Sequence, residues 1–178
     1  MDVALDHFAN EGYLPTSISH IAQTAGISKG LMYNYFKSKE ELLKSILDLL
    51  TTEIMTEIDL NNDGEISEEE ALHFFDFYFE ILKNKREQVK LYYQLSLQPQ
   101  VVNFMLNSQF NPKALIRQKL LYEYFLKNSN VEPEIGLINF SSIIKGFSLE
   151  YVFAPENFPD EIFYKYREYL KDTFIRNK

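Results

Sequence analysis

An all-α fold is what this sequence predicts, and three observations carry the expectation. Apolar residues recur at helical spacing along most of the chain, and no stretch sustains period-two alternation. Only 6 glycines and 6 prolines interrupt 178 residues. Pro99, Pro112, Pro133, Pro155 and Pro159 fall between the resulting helices or at their starts, where the missing N–H is tolerated.

The first helix is expected over about Asp2 to Asn10, with Val3, Ala4, Leu5 and Phe8 facing inward and Gly12 closing it. Thr16 or Ser17 caps a short helix, SISHIAQTA, whose Ile18, Ile21, Ala22 and Ala25 form an apolar stripe; Gly26 ends it. Ser28 then opens SKGLMYNYF. Two short helices around a tight, glycine-containing turn have the form of a helix-turn-helix. Ser38-Lys39-Glu40-Glu41 reads as a capping box at the start of a long helix running to about Ile58. Further helices are expected over Glu68 to Lys83, Arg86 to Leu97, Val101 to Asn107 and Pro112 to Lys127. The last two cover Pro133 to Phe153 and Pro159 to Arg176.

Composition excludes several functions. With hydrophobic residues at 46% and charged residues at 25%, the chain can build a packed core. The absence of cysteine removes disulfides, thiolate nucleophiles and Cys-based metal sites. Three histidines (His7, His20, His73) and no glycine-rich phosphate loop leave no catalytic constellation, so an enzyme is not expected. No apolar run reaches the length of a membrane span, and MDVALDHF lacks the order of a signal peptide; a cytoplasmic protein with no membrane partner is the expectation.

The net charge of −8 argues against indiscriminate nucleic-acid binding, because phosphate affinity comes largely from Lys and Arg. The excess is local. Glu53 to Glu70 holds eight carboxylates and no Lys or Arg. Within it, Asp59 to Glu70 reads DLNNDGEISEEE. Asp59, Asn61 and Asp63 stand at loop positions one, three and five, Gly64 at six, Ile66 at eight and Glu70 at twelve, the spacing of an EF-hand calcium loop. The carbonyl of Glu65 at seven and Ser67 at nine complete the expected ligands of one structural Ca2+ ion. Ile54, Met55 and Ile58 before the loop, and Ala71, Phe74 and Phe75 after it, keep helical phase. Ser67 to Glu70 is also a capping box, and Asn62-Asp63-Gly64 is ordinary turn chemistry; neither explains Asp59, Asn61 and Asp63 together.

The run TSISHIAQTAGISKGLMYNYFKSKEELL resembles the head of TetR-family (tetracycline-repressor-like) transcriptional regulators. Thr16, Ile21-Ala22, Ala25-Gly26, Ser28, Gly30, Tyr33, Tyr35-Phe36, Lys39 and Leu42 carry the likeness. It divides the chain into a DNA-binding head, residues 1–45, and a ligand-binding and dimerisation body, residues 46–178, with the EF-hand-like loop at 59–70. A recognition helix lies in the major groove with its N-terminal residues near base edges. Ser28, Lys29 and Gly30 therefore stand at the double-stranded operator DNA, with Asn34 as base reader or phosphate partner. The resemblance implies that Tyr33 and Lys39 grip phosphates. Ser17, Ser19 and His20 sit on the helix that crosses the backbone, while Tyr35 and Phe36 are expected in the core. Through Asp48 the head has four Lys, no Arg and six acids, and the chain starts inside the first helix, so modest DNA affinity with a shallow salt slope is expected; a missing N-terminal segment would explain both features.

The resemblance further implies a homodimer built on the last two helices and an effector pocket among the middle ones. The penultimate helix is apolar on more than one side, as a helix buried on both sides must be, and Gly146 permits close helix approach. Ile143, Phe147, Tyr151, Phe163, Tyr166 and Leu170 are the expected interface. With 12 tyrosines and 15 phenylalanines in the chain, Phe75, Tyr78, Phe79, Tyr92, Tyr93, Phe104, Tyr122 and Phe125 are expected to line a pocket for a hydrophobic or aromatic small-molecule effector. The resulting expectation is a ligand-responsive homodimeric regulator, a repressor, with a structural calcium ion. The alternative is a calcium-binding helical interaction protein whose head no longer binds DNA.

Overall fold

The computed structural model describes residues 1–107 and 112–176. Ten α-helices follow in order: α1 Asp2–Asn10, α2 Ile18–Thr24, α3 Lys29–Tyr35, α4 Lys39–Thr56, α5 Glu68–Asn84, α6 Arg86–Ser96, α7 Pro99–Asn107, α8 Pro112–Asn128, α9 Pro133–Phe153 and α10 Asp160–Lys171. Among the described residues there is no strand. Three ends differ from the sequence expectation by more than one residue. Helix α7 opens at Pro99, two residues early. Helix α4 stops at Thr56, two residues early, and α10 passes at Asp172 into a π-helical turn to Arg176.

The chain packs as two compact units, Met1–Thr51 with Glu87–Asn111, and Thr52–Arg86 with Pro112–Lys178. In the first, Ala4, Leu5 and Phe8 of α1, Ile18, Ile21 and Ala22 of α2, Met32 of α3 and Leu42, Leu43, Ile46 and Leu47 of α4 form one buried cluster. Leu95 and Val101, from α6 and α7, belong to the same cluster. The head's core therefore draws on residues fifty positions beyond its expected boundary. The side-chain amide of Gln98 marks the join: its Oε1 accepts from the Tyr13 N–H at 2.8 Å and its Nε2 donates to the Phe8 carbonyl at 2.7 Å.

In the second unit, α5 is the central element. Its Phe74, Phe75, Tyr78, Phe79 and Leu82 are buried, and Phe79 stacks on Phe147 of α9 and meets Phe163 of α10. Asp76 binds the buried Lys171 ammonium at 2.5 Å and Arg167 at 3.1 Å, which ties α5 to α10. Helices α8 and α9 cross closely at Gly136, where an added Cβ would stand 2.9 Å from the Phe125 ring.

Candidate nucleic-acid interface and candidate calcium loop

Local capping builds the helix-turn-helix. Ser17, rather than Thr16, caps α2 by accepting the His20 N–H at 3.1 Å, and Ser28 caps α3 by accepting the Leu31 N–H at 3.1 Å. Thr16 is buried and donates to the Gly12 carbonyl at 2.8 Å. Gly26, at φ +68°, supplies the left-handed residue that reverses the chain between α2 and α3. Helix α3 buries only Met32, so nearly its whole surface is available to a ligand.

Ser17, Ser19, His20, Ser28, Lys29, Gly30, Tyr33 and Asn34 are exposed, and Lys39 is half-buried. A Cβ at Gly30 would meet only Ser28 Oγ, at 3.9 Å. Gly30 is thus free of helix packing, and its bare backbone faces outward. Lys29 lies over the Tyr33 ring at 5.8 Å, one turn on. One of the two side chains expected in the core departs from expectation. Tyr35 is not core: it is 70% exposed, while Phe36 packs against the cluster. The register explains it, since Met32 and Phe36 occupy the inward positions four apart and Tyr35 falls outside them.

Lys39 is partly committed within the head. Its ammonium donates to the carbonyls of Leu14 at 3.0 Å and Thr16 at 2.9 Å and lies 4.4 Å from the Tyr13 ring centre. Burial holds its pKa below the ordinary lysine value. Of its three N–H donors, one remains for a phosphate. His20, though exposed, turns towards Glu11, with Nε2 3.4 Å from the carboxylate. At the start of α4, Glu41 N donates to Ser38 Oγ at 3.1 Å, but the Glu41 carboxylate reaches one residue further back, to the Lys37 N–H at 2.5 Å.

The loop at 59–70 closes on its own N–H groups. Asp59 accepts from the N–H groups of Asp63 and Gly64, both at 3.2 Å; Asn61 Oδ1 accepts from Asp63 N at 2.9 Å, and Asp63 Oδ1 from Glu65 N at 2.8 Å. Asn62 and Gly64 take left-handed conformations, φ +56° and +82°, which fold the loop side chains inward. Glu70 is 6% exposed. Its Oε1 accepts from Leu60 N at 2.8 Å and Asn61 N at 3.4 Å, and its Oε2 from Ser67 N at 2.9 Å and Ser67 Oγ at 2.8 Å. Ser67 caps α5 in return, completing the capping box. Burial raises the Glu70 pKa, yet the hydrogen bonds from Ser67, Leu60 and Asn61 outweigh it and leave the group below the usual value.

The acidic segment does have basic partners. Lys127 of α8 binds Glu65 at 2.9 Å, and His73 of α5 lies 2.8 Å from Glu57. A count of Lys and Arg over residues 53–70 leaves out both, since His73 lies just past the segment and Lys127 reaches Glu65 across 62 residues. Ile58, Ala71, Phe74 and Phe75 are buried beside the loop; the side chains of Ile54 and Met55 lie outside the described residues. A cleft of about 260 Å³, lined by Gly64, Glu65, Ile66, Lys119, Glu123 and Lys127 among others, separates the loop from α8.

Four of the six expected interface residues lie in the core of the chain instead. Phe147, Tyr151, Phe163 and Leu170 are buried within one protomer, at 7%, 7%, 1% and 0% exposure, and Ile143 and Tyr166 are half-buried. The inward faces of α9 and α10 take the aromatic residues, because α5 already needs a cover for its own rings. Ile135, Ile138, Leu149 and Phe153 of α9 and Ile162 and Tyr169 of α10 are the exposed large apolar residues. Gly146 is exposed, and among the described residues no other element comes within 4 Å of a Cβ placed there.

The expected pocket residues are also dispersed. Phe75 and Phe125 line a cavity of only about 30 Å³ with Phe140 and Phe174. Tyr78 packs its hydroxyl on Ser148 and donates to the Ile144 carbonyl at 3.2 Å, and Phe79 belongs to the cluster with Phe147. Tyr122 is half-buried, 3.4 Å from Glu134. Tyr92 and Phe104 pack against the head's core, and Tyr93 meets the Tyr92 ring edge-on.

Residues 1–46 match the pattern of the bacterial regulatory proteins, tetR family. The chain is 45% identical over 58 residues to the HTH-type transcriptional regulator YuxN of Bacillus subtilis, 33% of this chain and 20% of that protein. It is 27% identical over 104 residues to the biofilm operon icaADBC HTH-type negative transcriptional regulator IcaR of Staphylococcus epidermidis, 58% of this chain and 55% of that protein. The chain thus spans between a fifth and just over half of these curated relatives. The fold extends further than the sequence likeness. The fatty acid degradation regulator FadR from Bacillus halodurans superposes with a TM-score of 0.66 at 16% identity, over 98% of this chain and 91% of that one. The likeness to the tetR family thus lies in the head, residues 1–46, and the relatives that share it are named as transcriptional regulators.

Proposed function

We propose that this chain is a homodimeric DNA-binding repressor that reads operator DNA with α3 and answers to an apolar effector. The observation that carries the reading is the exposed surface of α3. Lys29, Tyr33 and Asn34 face outward around an unobstructed Gly30, on a helix that buries a single residue. A helix so lightly used by its own core suits insertion into a major groove. Dimerisation is assigned to the outer face of α9 and α10, through Ile135, Ile138, Leu149, Ile162 and Tyr169. The effector is assigned to the aromatic cluster around Phe75, Phe125, Phe140 and Phe174, whose small cavity must widen to admit it.

The loop at 59–70 is assigned one structural calcium ion. Its donors are hard oxygens at the spacing calcium requires, and Gly64 makes the sharp turn at position six. Calcium would compete with the loop's own N–H groups for Asp59, Asp63 and Glu70, and would brace the end of α4 against the start of α5. Gel mobility shift with the DNA flanking the chain's own gene, at two salt concentrations and with calcium or chelator, tests the whole reading. Retarded DNA that is released by added salt supports the regulator. Calcium-dependent melting without any DNA retardation favours the interaction protein instead.

A further inference from the structure

We propose that His7, Glu11 and His20 form a binding site for one divalent transition-metal ion, with zinc as the best match, that pins α1 to α2. Among the described residues these three bring one ligand atom each within 4.8 Å of the others. His7 Nδ1 lies 2.6 Å from Glu11 Oε1, His20 Nε2 lies 3.4 Å from Glu11 Oε2, and the two imidazole rings meet edge to face at 4.5 Å.

The chain builds this arrangement from short-range rules. His7 and Glu11 are four residues apart at the end of α1, hence on one face. His20 belongs to the first turn of α2, and the Ser17 cap holds its backbone N–H. Its ring is then delivered to the same carboxylate from a second helix. Chain neighbours could supply two of the ligands alone; the third comes only from the fold.

Two imidazole nitrogens and one carboxylate oxygen are a donor set for zinc or its neighbours, not for calcium or magnesium, which prefer oxygen alone. Zinc bonds of about 2.05 Å in a tetrahedron separate ligand atoms by about 3.3 Å. The Glu11 Oε2–His20 separation already has about that value, while His7 meets the other oxygen, Oε1. The His7–Glu11 separation must open by under ~1 Å, and the half-exposed Glu11 carboxylate can rotate to allow it. The metal takes the place of the proton now shared between His7 Nδ1 and Glu11, and three protein ligands leave a fourth position for water.

His7 is the buried member of the set. The residue is 7% exposed, on the face of α1 that also buries Ala4, Leu5 and Phe8, and its Nε2 has no hydrogen-bond partner. A purely packing role at this position suits leucine, which leaves no polar atom buried. With Nδ1 turned to a metal, the imidazole proton sits on Nε2, the buried nitrogen. The carboxylate loop at 59–70 shares no residue with this site.

The test uses tag-free, metal-stripped full-length protein with excess calcium to occupy the acidic loop. Zinc is titrated against a chromophoric chelator, and cobalt(II) is followed by its visible absorption. The parent and Asp59→Asn are expected to bind one equivalent of zinc and to melt higher with it. His20→Gln and Glu11→Gln, both at exposed side chains, are expected to bind at least tenfold more weakly and to lose the shift in melting temperature. Circular dichroism confirms that they remain folded. No zinc equivalent in the parent, or zinc binding indifferent to His20→Gln, overturns the site and leaves the three residues as an ion-paired cluster.

Discussion

Gln98 clamps Tyr13. Its side-chain carbonyl accepts the Tyr13 N–H at 2.8 Å while its amide donates to the Phe8 carbonyl at 2.7 Å, so one side chain between α6 and α7 satisfies both sides of the turn after α1. Gln98→Ala leaves a backbone donor and a backbone acceptor part-buried without partners, at a cost of about 1–3 kcal/mol. Urea melting of parent and variant checks it. An unchanged midpoint would show that water replaces the amide at no cost.

Lys29 and Lys39 are expected to separate under mutation. Lys29→Ala should lower DNA affinity and reduce the salt slope by about one while the melting temperature holds, because the exposed Lys29 meets only the exposed face of Tyr33 and lies outside the buried cluster. Lys39→Ala should lose a similar slope and also about 1–2 kcal/mol of stability, since two backbone carbonyls lose a charged donor. Fluorescence anisotropy over a salt series, paired with thermal melting, distinguishes the two.

For the dimer, Ile138→Glu tests the outer face of α9, where Ile138 is 58% exposed. The protomer should fold normally and sediment as a monomer, because about 3 kcal/mol lost at an interface weakens association more than a hundredfold. Phe147→Glu, by contrast, places a charge within the aromatic cluster and should unfold the protomer itself. A parent that sediments as a monomer at micromolar concentration, or an Ile138→Glu dimer as tight as the parent, rejects the assignment.

Calcium should raise the melting temperature of the parent relative to chelator, by about 2.7 kcal/mol of stability at a hundredfold excess over the dissociation constant. Glu70→Gln and Asp59→Asn should each abolish most of that difference. Glu70→Gln also turns an amide towards donors that now meet a carboxylate, so the diagnostic quantity is the calcium-minus-chelator difference within each variant. An identical difference in parent and variants would place the ion elsewhere.

Acid should expose the same residue. The Glu70 pKa is depressed in the fold, so its contribution is fully present above the ordinary value of about 4.3 and is lost as pH falls through the lower folded value. Chelator-treated parent should therefore lose stability below about pH 4 more steeply than Glu70→Gln. Parallel curves would mean that other carboxylates govern the acid limb.

Much of this protein is determined by sequence alone, and the reason is that its cues are local. Helix caps at Ser17, Ser28 and Ser67, the left-handed turns at Gly26 and Gly64, and the prolines that open α7, α8 and α9 act within a few residues. Periodicity therefore placed each helix, and the spacing of Ser28, Gly30 and Tyr33 placed the outward face of α3. Decisions between distant elements required the tertiary structure. Which face of α9 turns inward depended on the rings of α5, so Phe147 and Tyr151 became core and Ile138 became surface. Lys127 reached Glu65 across 62 residues, and His20 met His7 and Glu11 only because α2 folds back beside α1. A helical pattern states that a face is apolar; what covers it is a property of its neighbours, which no local spacing encodes.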